Sequence, residues 1–308
     1  MKFAVLHVNK SSYTSTSPTM RIARYVYDRL RVRGCVVNLI HDVETAQSCI
    51  DTRHDIVFVK YGVLAFSDHR KQAIDILNRA RRVINMENDY SFVHDKRLRS
   101  PDEIWSTVQA PDRTRYCNWN VLTRHDTKGW ITDTRFVPYF DSRPKNSGLI
   151  YYGAYRPDRV QYFERYFKNA PYPVTISSFR GDKNFGVLCP NAKLMPAFRD
   201  PDGPAKWEMT LYVEDATSHS LYCSPANRFY ECLHMGLPQA IDERAVKTLM
   251  TAGIPMKGEF QVHSKMGLRA LLQRAGDIAA LQQRLWRRDY ASDLHQQFDD
   301  AMRSSGLW

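Results

Sequence analysis

Only six cysteines occur in the 308 residues, and no two of them stand as a CxxC pair. A chain this long and core-rich has no need of a disulfide framework, so reduced, buried thiols are expected at Cys35, Cys49, Cys117, Cys189, Cys223 and Cys232. His219, Cys223, Cys232 and His234 lie close together, but their spacing fits no common zinc pattern. Long apolar runs are missing as well. Phe3 to Val8 is too short for the central region of a signal peptide, and no stretch approaches the length of a bilayer span, so a cytosolic protein with no membrane partner is expected. There is no GxxxxGK[ST] loop and no GxGxxG, which argues against a kinase, an ATPase or a dinucleotide oxidoreductase. Acidic residues are the scarcer charge, 33 against 44 basic, for a formal net charge of +11. That excess favours an anionic partner (nucleic acid, a nucleotide or an acidic surface) without choosing among them, and a merely basic soluble protein has the same composition.

What is present reads as alternating strands and helices. Phe3–Val8, Val36–Ile40, Asp55–Tyr61 and Val83–Met86 are short runs of strand formers. Met20–Arg33 and His69–Arg81 have helical spacing, the first stopped by Gly34. A second such rhythm follows: strands at Leu149–Tyr152, Val174–Ser177, Leu211–Val213 and Gln239–Ile241, helices at Asp158–Phe167 and Pro225–Met235, and one or two helices over Asp277–Met302. Two parallel α/β units with a cleft between them are the expected layout, with ligands at the carboxyl ends of the strands. Residues 95–120 read as a long polar loop in which Lys96, Arg97, Arg99, Arg113 and Arg115 are interleaved with Trp105, Tyr116 and Trp119. Val121-Leu122 and Phe136-Val137 are candidate closing strands, and Asp141–Ser147 is a candidate linker.

Three segments carry chemistry. In Ser224–Pro238, Ser224 suits an N-cap, Pro225 the first helical position and Gly236 the position past the end. Arg228 and Glu231 share one helix face: a guanidinium for a diphosphate and a carboxylate for ribose hydroxyls, or an ordinary surface ion pair. Tyr151–Arg159 is a strand, a tight turn at Gly153 and a helix start, where Arg156 and Arg159 can meet phosphate oxygens or simply be solvated. Glu87-Asn88-Asp89 ends a strand, where Asp89 can be a general base or a helix N-cap. Asp200-Pro201-Asp202-Gly203 has the letters of a metal-binding DxD but the composition of a turn.

Together the Met1-Lys2-Phe3-Ala4 strand, the Tyr152-Gly153-Ala154-Tyr155-Arg156 turn with Arg159, and Arg228-Phe229-Tyr230-Glu231 followed by Ala240-Ile241-Asp242-Glu243 resemble the bacteriophage DNA β-glucosyltransferases. The resemblance implies the α/β GT-B fold: two Rossmann-like domains facing a cleft, an acceptor (DNA) domain over 1–143 and a nucleotide-sugar domain over 144–308, with C-terminal helices packing back toward the first. It implies a monomer that moves glucose or a similar hexose, with inversion, from UDP-glucose or another UDP-sugar to a hydroxymethylated pyrimidine in double-stranded DNA. The base would be flipped out of the duplex, with Trp105, Tyr116 or Trp119 stacking or wedging unless they are core. The expected base is Asp89. The expected donor contacts are Gly153, Tyr155, Arg156, Arg159, Gly181, Arg228 and Glu231. A divalent metal can accompany the diphosphate, although no motif binds one. Where the family has an acidic residue near its first helix, this chain has Ser17-Pro18-Thr19-Met20-Arg21. A GT-B enzyme with a cell-surface or small-molecule acceptor, and a non-catalytic nucleic-acid-binding protein, are the competing readings.

Overall fold

The computed structural model describes all residues except 8–17, 42–44, 46–47, 50–52, 62–69, 88–97, 124–145, 179–182, 201, 216–221, 287 and 289. The chain divides into two units, Met1–Asp133 with Tyr290–Trp308, and Thr134–Asp289.

In the first unit the described elements are β1 (Lys2–Leu6), α1 (Pro18–Val32), β2 (Val36–Ile40), β3 (Ile56–Val59), α2 (Arg70–Arg79), β4 (Arg82–Glu87), β5 (Glu103–Ser106) and β6 (Arg115–Tyr116). All six strands are parallel, in the order β2-β1-β3-β4-β5-β6. Alternate residues of one strand face opposite sides. Phe3 and Val5 join Phe58, Ile84 and Met86 under α1, whereas Ala4 and Leu6 join Val57, Val59 and Val83 under Ala73, Ile76 and Leu77 of α2. A strand buried on both faces reads as a continuous apolar run, which is why these strands stand out in the sequence.

The second unit runs β7 (Asn146–Tyr152), α3 (Val160–Tyr166), β8 (Val174–Ser178), α4 (Lys183–Leu188), β9 (Lys193–Pro196), β10 (Trp207–Tyr212), α5 (Asn227–Met235), β11 (Gln239–Asp242), α6 (Val246–Thr251), β12 (Gln261–Val262), α7 (Lys265–Leu272) and α8 (Ala275–Leu285). Its strands are again parallel, ordered β12-β11-β10-β7-β8-β9. The chain starts in the middle at β7, builds outward to β9, then returns beside β7 with β10. The carboxyl ends of β7 and β10 therefore flank a topological switch point, where open α/β sheets hold ligands.

The last helix, α9 (Tyr290–Ser304), belongs to the first unit. Leu294, Phe298, Ala301 and Met302 enter the same core as Trp105 and Trp119. Asp299 takes two hydrogen bonds from Arg29, at 3.2 and 2.7 Å, and pairs with Arg33. Ser305 Oγ donates to Glu103, which is also paired with Arg82.

Several sequence expectations are corrected. Residues 95–120 contain β5 and β6 rather than one long loop. Trp105 and Trp119 are buried core residues and do not stack on a ligand, which leaves the half-buried Tyr116 of the three. Arg99 binds the carbonyls of Leu77, Ala80 and Arg81, and Arg115 those of Thr114 and Ser304, so both serve the fold. Trp119–Val121 is a 3-10 turn, not a strand. Phe136-Val137 and residues 141–145 lie outside the described residues. The turn reading of Asp200-Pro201-Asp202-Gly203, by contrast, agrees with the hydrogen bonds there: the amide of Asp202 donates to Asp200 Oδ1 and that of Gly203 to the Asp200 carbonyl. No group of three or more His, Cys, Asp or Glu side chains suited to a metal occurs among the described residues. No helix among them is long and apolar enough to cross a membrane.

Candidate functional site

The strand–turn–helix at Tyr151–Arg159 and the helix at Asn227–Met235 meet at the switch point of the second unit. The turn begins at Gly153 with φ of +147°, a conformation L side chains rarely adopt. Space is not the constraint, because a Cβ there would meet Arg228 Nη1 only at 3.5 Å and Tyr151 Oη at 3.7 Å. Those two contacts show what lies under the turn. Pro157–Arg159 forms a 3-10 turn that leads into α3.

Helix α5 does not begin as expected. Its N-cap is Ala226 rather than Ser224, and no side chain caps it. The amide of Ala226 instead donates to the hydroxyl of Tyr212 at 2.9 Å, and that hydroxyl donates in turn to Glu214. At the other end Gly236 adopts φ of +61°, the left-handed C-cap foreseen for it. Every residue from Arg228 to Met235 is buried. Arg228 and Glu231 are therefore not an exposed surface pair.

The guanidinium of Arg228 is held on several sides. It donates to the carbonyls of Tyr152 and Val213, both at 3.1 Å, and its carbon lies 4.7 Å from the ring centroid of Tyr151. The Tyr151 hydroxyl accepts a hydrogen bond from Arg159 Nη1 at 3.3 Å. Arg159 is itself buried, with Nη2 at 3.8 Å from Asp215 Oδ2. The same carboxylate oxygen lies 3.0 Å from Nη1 of Arg156, whose side chain is 51% exposed. The result is a continuous chain, Arg156–Asp215–Arg159–Tyr151–Arg228, linking the ends of β7 and β10 to the start of α5. The chain holds three guanidiniums and one carboxylate, which pairs with Arg156 and Arg159 and not with Arg228, an excess of positive charge suited to an anion with several oxygens. The Nε atoms of Arg159 and Arg228 are buried with no hydrogen-bond partner among the described residues.

Burial would raise the Tyr151 phenol, but the fields of Arg228 and then Arg159 more than offset it and bring the group down to about 8. Tyr152 and Tyr212 go the other way, pushed well up first by burial and then by neighbouring thiol or carboxyl groups.

Of the donor residues singled out from the sequence, Gly153, Arg156, Arg159 and Arg228 come together, and Glu231 is buried one helical turn beyond Arg228. Tyr155 is half-buried, with its ring against Phe163 and Phe185. Gly181 lies outside the described residues, and so does Asp89. Sequence reasoning passed over Asp215 and Tyr151. The available signal for Asp215 was Val213-Glu214-Asp215, two acids directly after a strand.

The strand ends of the first unit also carry polar groups. Glu87, buried at the end of β4, lies 3.6 Å from Lys60 Nζ and accepts from Asn85 Nδ2 at 3.1 Å. His7 follows β1, and burial lowers it to about 4, with His41 and Lys60 adding to the effect.

No family model matches the chain, and no curated protein matches it by sequence. Solved structures do. The DNA-modifying enzyme β-glucosyltransferase, studied with and without its substrate uridine diphosphoglucose, superposes with a TM-score of 0.71 at 12% identity, over 98% of this chain and 99% of that one. The chain has the GT-B fold. A T4 phage β-glucosyltransferase in complex with UDP and Mn2+ gives 0.69 at 11% identity, again over 98% and 99%. A glycosyltransferase involved in avilamycin A biosynthesis gives 0.55 at 10% identity, over 98% and 97%. At such identities the GT-B architecture is what is shared, and the chemistry must be argued from this chain's own residues.

Proposed function

We propose that the protein is a UDP-sugar-dependent glycosyltransferase that moves glucose or a similar hexose to a hydroxymethylated pyrimidine in DNA. The observation that carries the reading is the arginine chain at the switch point of the second unit. Arg156, Arg159 and Arg228 bind the donor diphosphate, and Glu231 binds the ribose hydroxyls. The acceptor hydroxyl oxygen attacks the anomeric carbon as the bond to the diphosphate oxygen breaks. Asp89, directly downstream of β4, takes the hydroxyl proton, and the attack inverts the anomeric centre. A divalent cation can accompany the diphosphate. The first unit takes the acceptor, and a target base in duplex DNA has to be extruded to react.

A DNA acceptor is supported by the net charge of +11 and by likeness to a DNA-modifying enzyme over nearly the whole of both chains. A small-molecule acceptor is the second reading, because a glycosyltransferase involved in avilamycin A biosynthesis shares the fold. Calorimetric titration with UDP, then with hydroxymethylated duplex at several salt concentrations, tests both halves. UDP binding together with salt-sensitive DNA binding supports the proposal. UDP binding without DNA binding favours the small-molecule acceptor, and no UDP binding removes the donor assignment.

A further inference from the structure

Tyr151 is the last but one residue of β7, and its ring is packed on Phe163, Phe167 and Phe185, with centroids at 5.0, 5.7 and 6.2 Å. Such surroundings are those of a core residue, yet the hydroxyl does not end in apolar space. It accepts from Arg159, while Arg228 covers the ring. Arg228 is pinned from behind by the carbonyls of Tyr152 and Val213, so Tyr151 and those carbonyls together determine where its charge sits. A Cβ at Gly153 would come within 3.5 Å of the guanidinium Nη1 and 3.7 Å of the hydroxyl, so the glycine turn lies against both. Phenol and arginines therefore lie together beneath the glycine turn at the switch point.

We propose that Tyr151 is a positioning residue of the donor site, holding Arg159 and Arg228 at a fixed separation, and that its phenol proton is coupled to donor binding. The inference rests on the donor-site reading above. A neutral phenol leaves both guanidinium charges available to a diphosphate. A phenolate would be an internal anion at the same arginines, and a diphosphate beside it would meet like charge. Among the described residues packed on the ring, those of α3, the residue after it and α4 are apolar. The charged groups facing it are Arg228 from α5 and Arg159 from the turn before α3, with Asp215 behind Arg159. These two arginines bring the phenol to about 8, so its titration falls within reach of experiment. Donor binding should take up a proton above that pH.

Tyr151→Phe keeps the ring and removes only the hydroxyl. UDP affinity and proton uptake are measured by calorimetry from pH 6.5 to 9 in buffers of different ionisation enthalpy, for the unmodified protein and the variant. Titrations of UDP itself are common to both and cancel. At neutral pH the variant should bind UDP about three- to tenfold more weakly, the effect of one lost hydrogen bond. Above about pH 8 the affinity of the unmodified protein should fall by up to about tenfold per pH unit, as one linked proton requires, with matching proton uptake that the variant lacks. The difference ultraviolet titration between the two proteins should show one phenolate with a midpoint near 8. Equal pH dependence in the two proteins, with UDP still bound, overturns the inference and leaves the donor site standing. No UDP binding by the unmodified protein at any pH removes the donor-site reading and the inference with it.

Discussion

Asp215 Oδ2 lies 3.0 Å from Nη1 of Arg156, tying the segment after β10 to the turn after β7. One partner is buried and the other half in solvent, so the three arginines of the site differ in what they do for the fold. Arg156→Ala should weaken UDP binding by about 1.5–3 kcal/mol, the usual range for a charge-assisted contact, and leave the melting temperature almost unchanged. Arg228→Ala should lose a similar amount of affinity and also lower the melting temperature, because it strips partners from two buried carbonyls. Calorimetry and thermal melts on both variants check the contrast.

Trp119 is buried and donates its indole N–H to the Trp105 carbonyl at 3.2 Å. As a core residue rather than a base-stacking one, its replacement by Ala should destabilise the first unit by about 3–5 kcal/mol. UDP affinity should be unchanged wherever the variant is still folded. Chemical denaturation followed by UDP titration measures both.

His7 has a folded-state value lowered to about 4 from 6.5, by burial before any charge effect. The unfolded chain therefore binds the proton first. The stability is present in full above pH 6.5 and is lost as the pH falls through 4, a total of roughly 3 kcal/mol. Denaturation curves at pH 7 and pH 4 should show this loss in the unmodified protein and its absence in His7→Asn.

Asp89 follows β4 by two residues. As the base, Asp89→Asn should lower turnover by roughly 10²–10⁴-fold and leave UDP affinity nearly intact. As a helix cap, Asn would replace Asp almost silently. Turnover, UDP affinity and melting temperature of Asp89→Asn and Asp89→Ala separate the two roles. Full activity in Asp89→Asn moves the search for the base to Glu87, His94 or Asp95.

If about four DNA phosphates are contacted, log affinity for duplex should fall with log salt at a slope of roughly −3 to −4. Fluorescence anisotropy of labelled hydroxymethylated duplex between low and moderate salt measures it. A flat response favours a small-molecule or cell-surface acceptor.

The central strands were legible because a parallel strand buried on both faces leaves an uninterrupted apolar run, as in Phe3–Leu6 and Ile56–Val59. Strands β5 and β6 were not. They are four and two residues long, and their charged members, Glu103 and Arg115, are satisfied by Arg82, Ser304 and Ser305 from distant parts of the chain. Arg156 and Arg159 stood out as residue types beside a glycine turn, and Arg228 as a helix residue paired in spacing with Glu231. Tyr151 could not, since a tyrosine in an apolar strand has the same local pattern whether its hydroxyl and ring meet two arginines or none. The cap of α5 failed for a similar reason: its partner, Tyr212, comes from a strand fourteen residues earlier in the chain.

The most direct measurement is product analysis. Hydroxymethylated duplex DNA is incubated with the protein and each of several UDP-sugars, digested to nucleosides and weighed by mass spectrometry. The account predicts a modified pyrimidine nucleoside heavier by one hexose, formed with at least one UDP-sugar and absent with unmodified DNA. Nucleosides of unchanged mass with every UDP-sugar tested, from protein shown to bind UDP, would contradict it.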